Sequence, residues 1–510
     1  MHRITTRRSF MRAAAIVGAI AASLPGLLSV ARASVKPDIL MIMPDQMRGD
    51  CLSILGHPGV ETPQLDRLAN EGVLFRRAYT TASSCIPARY ALLSGLHPQS
   101  SGVVGYRGKV LSTRPFPELL GNAGYITALV GRNMHQVRAS GTCGYQKNIL
   151  RWPEYNAFLK KAAPGLKGGL GMLIKYLGLS PNHWEAKPWP LGDELHPTEW
   201  TVKRSLELLE SAAPDKPLFL TTSLLAPHPP LFPPKTYFDR CRNKDLPEIA
   251  RGDWVQWNTL PKTKKGPGQR VLLEGDVLRS AQAGYFGLIE HIDAQVESLI
   301  REFKERSKKN GRPWVIVVTS DHGEMLGDHG YFRKCEPYEG SANIPLIVSG
   351  SPDLKFRTGA RRSDPVCLED IMPTLLTLAG VETPGHVDGV SLLPALRGQK
   401  ESVRKWLHFE HATCYGKDQG YHALTDGQLK YIWRPMSGRE QLFDLTNDPQ
   451  EKRDLSNRVA HSATLDVWRK RLVQRLANRP EGFSKDGRLI AGRPYPPQNR
   501  GTLNTNKNVP

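Results

Sequence analysis

Near the front of the chain, Ser83-Ser84-Cys85-Ile86-Pro87-Ala88-Arg89 puts together groups that can do chemistry in concert. Serines ahead of a proline make a helix N-terminus, so the spacing predicts a helix from about Tyr90 to Ser94, stopped by Gly95. Cys85 then sits where backbone N–H groups and the helix dipole favour negative charge, and Arg89, four residues on, shares its face. A nucleophile, a cation and a helix N-terminus at one point suit attack on an anionic ester. On these residues alone, the thiol reads equally as a buried structural cysteine.

The elements that must position this group are apolar runs. Residues 39–43, 126–130, 218–225, 314–318 and 346–348 are β-rich, and 63–71, 198–209, 278–303 and 368–379 have helical spacing. Strands alternating with helices predict an α/β fold, a mostly parallel central sheet sandwiched by helices. Four strands lead directly into ionisable residues: Asp45-Gln46, then Arg132 and His135, then His228, then Asp321-His322. Ligands of open α/β sheets bind at the carboxyl ends of strands. Loops after strands are polar as a rule, so each residue alone also reads as loop polarity; four such loops at one edge point to a site.

Beyond about residue 395 the texture changes. Residues 407–415, 422–426 and 430–433 read as short antiparallel strands and 462–477 as a helix. This predicts an α/β catalytic domain over 34–395, a smaller C-terminal α+β domain over 396–481, and a loop-like or disordered tail over 482–510. At the front, Thr6-Arg7-Arg8-Ser9-Phe10-Met11, an Ala-rich uncharged stretch and Ala31-Arg32-Ala33 have the order of a twin-arginine signal peptide over 1–33. That predicts handling by the twin-arginine export machinery and a periplasmic or secreted protein. No other run reaches the roughly 18 apolar residues of a membrane span, so no stable span is expected after processing.

Hydrophobic content of 40% and charged content of 23% are those of an ordinary globular protein. The formal net charge is +20, and loss of Arg3, Arg7, Arg8, Arg12 and Arg32 with the signal leaves +15. Such a surface favours anionic partners, but no nucleic-acid motif accompanies the charge, and no nucleic-acid partner is expected. Seven cysteines without a CxxC are neither a disulfide scaffold nor a zinc cluster; one or two bridges are open to them after export.

Cys85-x-Pro-x-Arg89, continued by Tyr90-Ala91-Leu92-Leu93-Ser94-Gly95, resembles the signature of the sulfatases, whose cysteine a formylglycine-generating maturation enzyme converts to an aldehyde. Further resemblances follow in order along nearly the whole chain. Residues 39–46 are similar to the family's first strand and acidic pair, Thr62-Pro63-Gln64-Leu65-Asp66 to its first helix, and 124–135 to the strand carrying a catalytic Lys and His. Pro227-His228-Pro229-Pro230 resembles the substrate-contacting histidine loop, Thr319-Ser320-Asp321-His322-Gly323-Glu324 with Lys334 the second metal loop, and Phe443-Asp444-Leu445 a C-domain motif.

The resemblance implies an alkaline phosphatase-like fold. It implies catalytic roles for Cys85 (as formylglycine), Arg89, His135, His228 and Lys334, and one divalent metal on Asp45, Gln46, Cys85, Asp321 and His322. Its substrate would be an anionic sulfate ester, a sulfated carbohydrate being one candidate. Gln46 and His322 depart from the commoner Asp and Asn and resemble the branch of choline sulfatases and phosphonate monoester hydrolases. Ca²⁺ is the first expectation for the ion, with Mn²⁺, favoured by an imidazole ligand, or Mg²⁺ as alternatives. Arg132 stands at the family's Lys position; because a guanidinium gives up no proton at working pH, its expected role is substrate binding. A phosphonate monoester or phosphodiester hydrolase, and an inactive polyanion-binding protein, are the competing readings.

Overall fold

In a computed structural model, which describes residues 35–108, 110–135, 142–166, 168–263 and 270–499, the apolar runs become the strands of a central sheet. The signal-peptide reading of residues 1–33 lies outside the described residues, as does the end of the tail from 500. The sheet comprises β1 (Asp38–Asp45), β2 (Val73–Phe75), β3 (Ile126–Gly131), β4 (Lys147–Leu150), β5 (Leu218–Pro227), β6 (Trp314–Thr319), β7 (Leu346–Gly350) and β8 (Ala360–Arg362). Their order across it is β4-β3-β5-β1-β6-β7-β2-β8. The first five in that order are parallel, and β7 runs against both its neighbours. Every residue of β1 and β5 is buried, so these strands read as unbroken apolar runs.

Alternation along the strands gives each face its helices. Leu40, Ile42, Leu220, Ile316 and Val318 pack with α1 (Pro63–Glu71), α3 (Pro197–Ser211) and α4 (Gly275–Lys309). Ile39, Met41, Phe219, Val315 and Val317 point the other way, onto α2 (Cys85–Ser94) and α5 (Ile371–Leu378). A mostly parallel sheet between two helical layers is the fold class expected. Among the described residues no helix is long and apolar enough to cross a membrane.

Helix α2 differs from expectation: it begins at Cys85, not near Tyr90. Ser84 is extended (φ −154°, ψ 157°), and Pro87 falls in the first turn, where its missing N–H has no helical partner to lose. Gly95 ends the helix in the left-handed region, φ 66°, and donates its N–H to the Ala91 carbonyl.

The C-terminal strands form a separate antiparallel sheet, β9 (Leu407–His411), β10 (Tyr421–Thr425), β11 (Leu429–Trp433) and β12 (Glu440–Asp444), in that order. Leu465, Trp468 and Leu472 of α6 (Ser462–Arg475) cover one face with Tyr431 and Trp433. The tail also contributes, for Phe483 and Tyr495 are buried in the same cluster, so residues 482–499 dock on the sheet.

Candidate active site

β3, β5, β1 and β6 lie side by side in the middle of the sheet, and their carboxyl ends deliver Arg132, His228, Asp45 and Asp321-His322 to one place. The register shifts between Pro44 and Asp45, and Gln46 takes φ 70°, which turns the chain off β1 at the carboxylate. The N-terminus of α2 brings Cys85 to the same point. Ligand atoms of Asp45, Cys85, Asp321 and His322, all buried, lie within 4.8 Å of one another.

Nitrogen groups converge on Cys85. Lys334 Nζ donates to Sγ at 2.9 Å, His322 Nε2 lies 3.2 Å from it, and Arg132 Nη2 stands 3.9 Å away. Burial alone would raise the thiol pKa; the Lys334 charge, then His322, outweigh it and hold the thiol well below its usual value. Burial likewise works against Asp45, and the Arg132 guanidinium, assisted by Arg89, overcomes it and keeps the carboxyl ionised. Lys334 is buried too, yet the negative charge around it, Cys85 first, keeps it charged. His228 is the exception: burial and then Lys334 push its pKa well below the usual value, so it rests neutral. Its Nδ1–H donates to the Pro229 carbonyl at 2.6 Å, which makes Nε2 the lone-pair atom.

The carboxylates are held from behind. Arg89 donates from Nε to Asp321 Oδ2 at 2.9 Å and from Nη2 to Asp45 Oδ2 at 2.8 Å, while Nη1 reaches the Asn133 carbonyl at 3.0 Å. Asp321 Oδ1 accepts the backbone N–H groups of Gln46 and His322, both at 3.1 Å. His322 Nδ1 donates to the Gly323 carbonyl at 2.9 Å, leaving the Nε2 lone pair toward the cluster, the arrangement of a metal-ligating imidazole. Two carboxylates, an imidazole and the side chain of residue 85 are a donor set for one divalent ion. The imidazole suits Mn²⁺ better than Ca²⁺, which prefers oxygen throughout.

The structure thus gathers Asp45, Cys85, Arg89, Arg132, His228, Asp321, His322 and Lys334. His135 stands beside them through Arg132 Nη2, 3.3 Å from its Nε2. Gln46 is present but otherwise engaged: its Oε1 accepts from Lys334 Nζ at 2.8 Å and its Nε2 donates to Glu324. Arg89 is wholly buried, spent on the two carboxylates rather than turned to a substrate.

The layer behind carries residues to which the sequence assigns no role, His411 among them, for which a structural reading outweighs an approach to the pocket. Glu324 receives Gln46 and the backbone N–H of Leu326 at 2.8 Å. His411 Nε2 meets Ser84 Oγ at 2.7 Å, and Tyr421 OH meets Ser83 Oγ at 2.7 Å, so the C-terminal sheet grips the residues preceding Cys85. Glu324 stands inside the conspicuous 319–324 run; His411 and Tyr421 have no local signal. Of the tryptophans at 152, 184 and 189, Trp184 and Trp189 fill core space and Trp152 is exposed.

The family model Sulfatase matches residues 37–381, and the model described as N-sulphoglucosamine sulphohydrolase, C-terminal, matches residues 327–478. An arylsulfatase of Clostridium perfringens is 36% identical over 482 residues, covering 90% of this chain and 98% of that relative. A choline-sulfatase of Rhizobium meliloti is 28% identical over 466 residues, 85% of this chain and 86% of the relative. Among solved structures, a phosphonate monoester hydrolase of Agrobacterium radiobacter shares the fold, with a TM-score of 0.73 at 24% identity over 87% of this chain and 96% of the other.

Proposed function

This chain belongs to the sulfatase family and is a sulfuric ester hydrolase; from that premise we propose that it frees sulfate from an alcohol, aryl or sugar sulfate through a formylglycine made from Cys85. The observation that carries the reading is the meeting of Lys334, His322, Asp45 and Asp321 around Cys85 Sγ. A divalent ion on Asp45, Asp321, His322 and residue 85 would supply Lewis acidity, activating an oxygen nucleophile at neutral pH. The hydrated aldehyde would supply two hydroxyls, one to take the sulfuryl group and one to expel it, where a serine would remain a stable ester.

The chain's own residues do the rest. Lys334 and Arg132 face residue 85 and hold the negative charge of the sulfuryl oxygens as it grows. Arg89 positions Asp45 and Asp321. Lys334, which stays charged beside residue 85, gives a proton to the departing alcohol, while His228, neutral, offers its Nε2 lone pair as an acceptor. His135, beside Arg132, takes the proton of the second hydroxyl.

Upstream, residues 1–33 serve as a twin-arginine signal that places the mature enzyme outside the cytoplasm, after a formylglycine-generating enzyme has read Cys85-x-Pro-x-Arg89. The mature charge of +15 supports an acidic substrate such as a sulfated carbohydrate. A second reading, phosphonate monoester or phosphodiester hydrolysis, draws on the density of cations at the site. Enzyme from its native host is expected to hydrolyse an aryl sulfate, with Cys85→Ala losing about 10⁴–10⁶-fold in kcat at an unchanged Tm. Faster turnover of a phenyl phosphonate monoester than of the sulfate would move the assignment to the second reading.

A further inference from the structure

The segment that carries Lys334 also carries a thiol that the reaction leaves unused. Cys335 is buried, and its N–H donates to the Ser83 carbonyl at 2.8 Å, two residues ahead of Cys85. Its Sγ lies 3.2 Å from Sγ of Cys414, a residue that is partly exposed on the segment following β9. The partners are 79 positions apart, one beside the catalytic lysine and the other on the connection between β9 and β10 of the sheet that grips Ser83 and Ser84. Their flanks also meet, with the Arg333 guanidinium 4.8 Å over the Tyr415 ring. Cys51, Cys241 and Cys367, by contrast, are packed into hydrophobic core.

We propose that Cys335 and Cys414 form a disulfide in the mature protein, a covalent clamp between the Lys334 segment and the C-terminal sheet. Closing from 3.2 Å to the ~2 Å of a disulfide asks for about 1 Å of side-chain movement. The roles of the two thiols differ. Cys414 is reachable from solvent, and the S–H of Cys335 and the charge of Arg333 lower its pKa; Cys335 is shut in and its pKa is raised by burial.

The oxidant is an external disulfide, RSSR. Cys414 thiolate attacks one of its sulfurs and expels RS⁻, giving a mixed disulfide; Cys335 then loses its proton and attacks Cys414 Sγ, expelling the second RS⁻. Two protein thiols lose two electrons and two protons, and two RSH are formed. The exported location proposed above supplies such an oxidising setting. The bond does not depend on which ester the site cleaves, because mass and stability report it.

Full-length protein, purified reduced, is equilibrated with oxidised and reduced glutathione, alkylated while denatured, and digested without reductant. A linked pair of peptides containing Cys335 and Cys414, about 2 Da lighter than their sum, is the expected result. Oxidation is also expected to raise Tm by several degrees in the native sequence and to leave Tm of Cys414→Ser unmoved. Alkyl groups on both cysteines after oxidation, or an equal Tm shift in Cys414→Ser, would overturn the proposal.

Discussion

Among the described residues, two wholly buried groups of ligand-type side chains stand at metal-binding spacing: Asp45, Cys85, Asp321 and His322 at the carboxyl ends of β1 and β6, and His408, Glu410 and His422 in the C-terminal sheet. In the second, the lone pairs are used on neighbours. Arg479 Nη2 pairs with Glu410 at 2.9 Å, and Tyr495 OH donates to the same carboxylate. His408 accepts from Arg475 Nε at 3.4 Å and meets His422 Nδ1 at 3.2 Å. Burial, then Arg475 for His408 and Arg479 for His422, keeps both rings neutral. That cluster is a knot tying the tail to the sheet. In the first, the donors are anchored from behind by Arg89, by backbone N–H groups or by the Gly323 carbonyl, and Asp45 Oδ1 and His322 Nε2 face Cys85 Sγ at 3.9 and 3.2 Å. Residue type and spacing do not distinguish the two; the direction of the unspent lone pairs does.

The comparison is sharpest in variants that remove one member from each cluster. Asp321→Asn is expected to cost about 10³-fold or more in kcat/KM and to release the bound metal, read by steady-state kinetics and elemental analysis. Glu410→Gln takes a charge from a buried pair and leaves Arg479 with Glu481 alone, so unfolding free energy should fall by about 1–3 kcal/mol with kcat within a few-fold. His422→Phe keeps an aromatic ring at the position and should cost about 1–3 kcal/mol in a urea titration, with metal content unchanged. Loss of metal in His422→Phe and its retention in Asp321→Asn would reverse the assignment of the two clusters.

The smallest effect concerns the seam between the sheets. Burial pushes the His411 pKa down to about 4, and the neutral ring meets Ser84. The unfolded chain takes up that proton near pH 6.5 and the folded one only near 4. Between those values the unfolded state binds more protons, so the His411 contribution is full above about pH 6.5 and is lost as pH falls toward 4. His411→Gln should flatten this acid limb of a Tm–pH profile; an unaltered limb would place the acid sensitivity elsewhere.

Much of this was legible in the chain. Central strands buried on both faces announce themselves as apolar runs, and the residues after them had to share an edge once the strands were parallel. The β2 and β8 strands, three residues each, are too short to show a period; β2 exists because it pairs with β7, and β8 because it pairs with β2. The start of α2 was displaced because Ile86 and Pro87 carry no helical pattern of their own; the backbone at Ser84 sets it. Gln46 and Arg89 were placed at the site but their partners were not. Only the folded geometry shows Lys334 and Glu324 taking both ends of the Gln46 amide, and two carboxylates consuming Arg89. The grip of His411 on Ser84 joins residues 327 positions apart, a contact no local spacing encodes.

The central claim, that Cys85 becomes the nucleophile as an aldehyde, is tested most directly by the mass of the peptide spanning residue 85 in active enzyme from the native host. Oxidation of the thiol to formylglycine lowers that mass by about 18 Da, and the account predicts this in a substantial fraction of the active protein. An intact, alkylatable thiol at position 85 in fully active enzyme would contradict it.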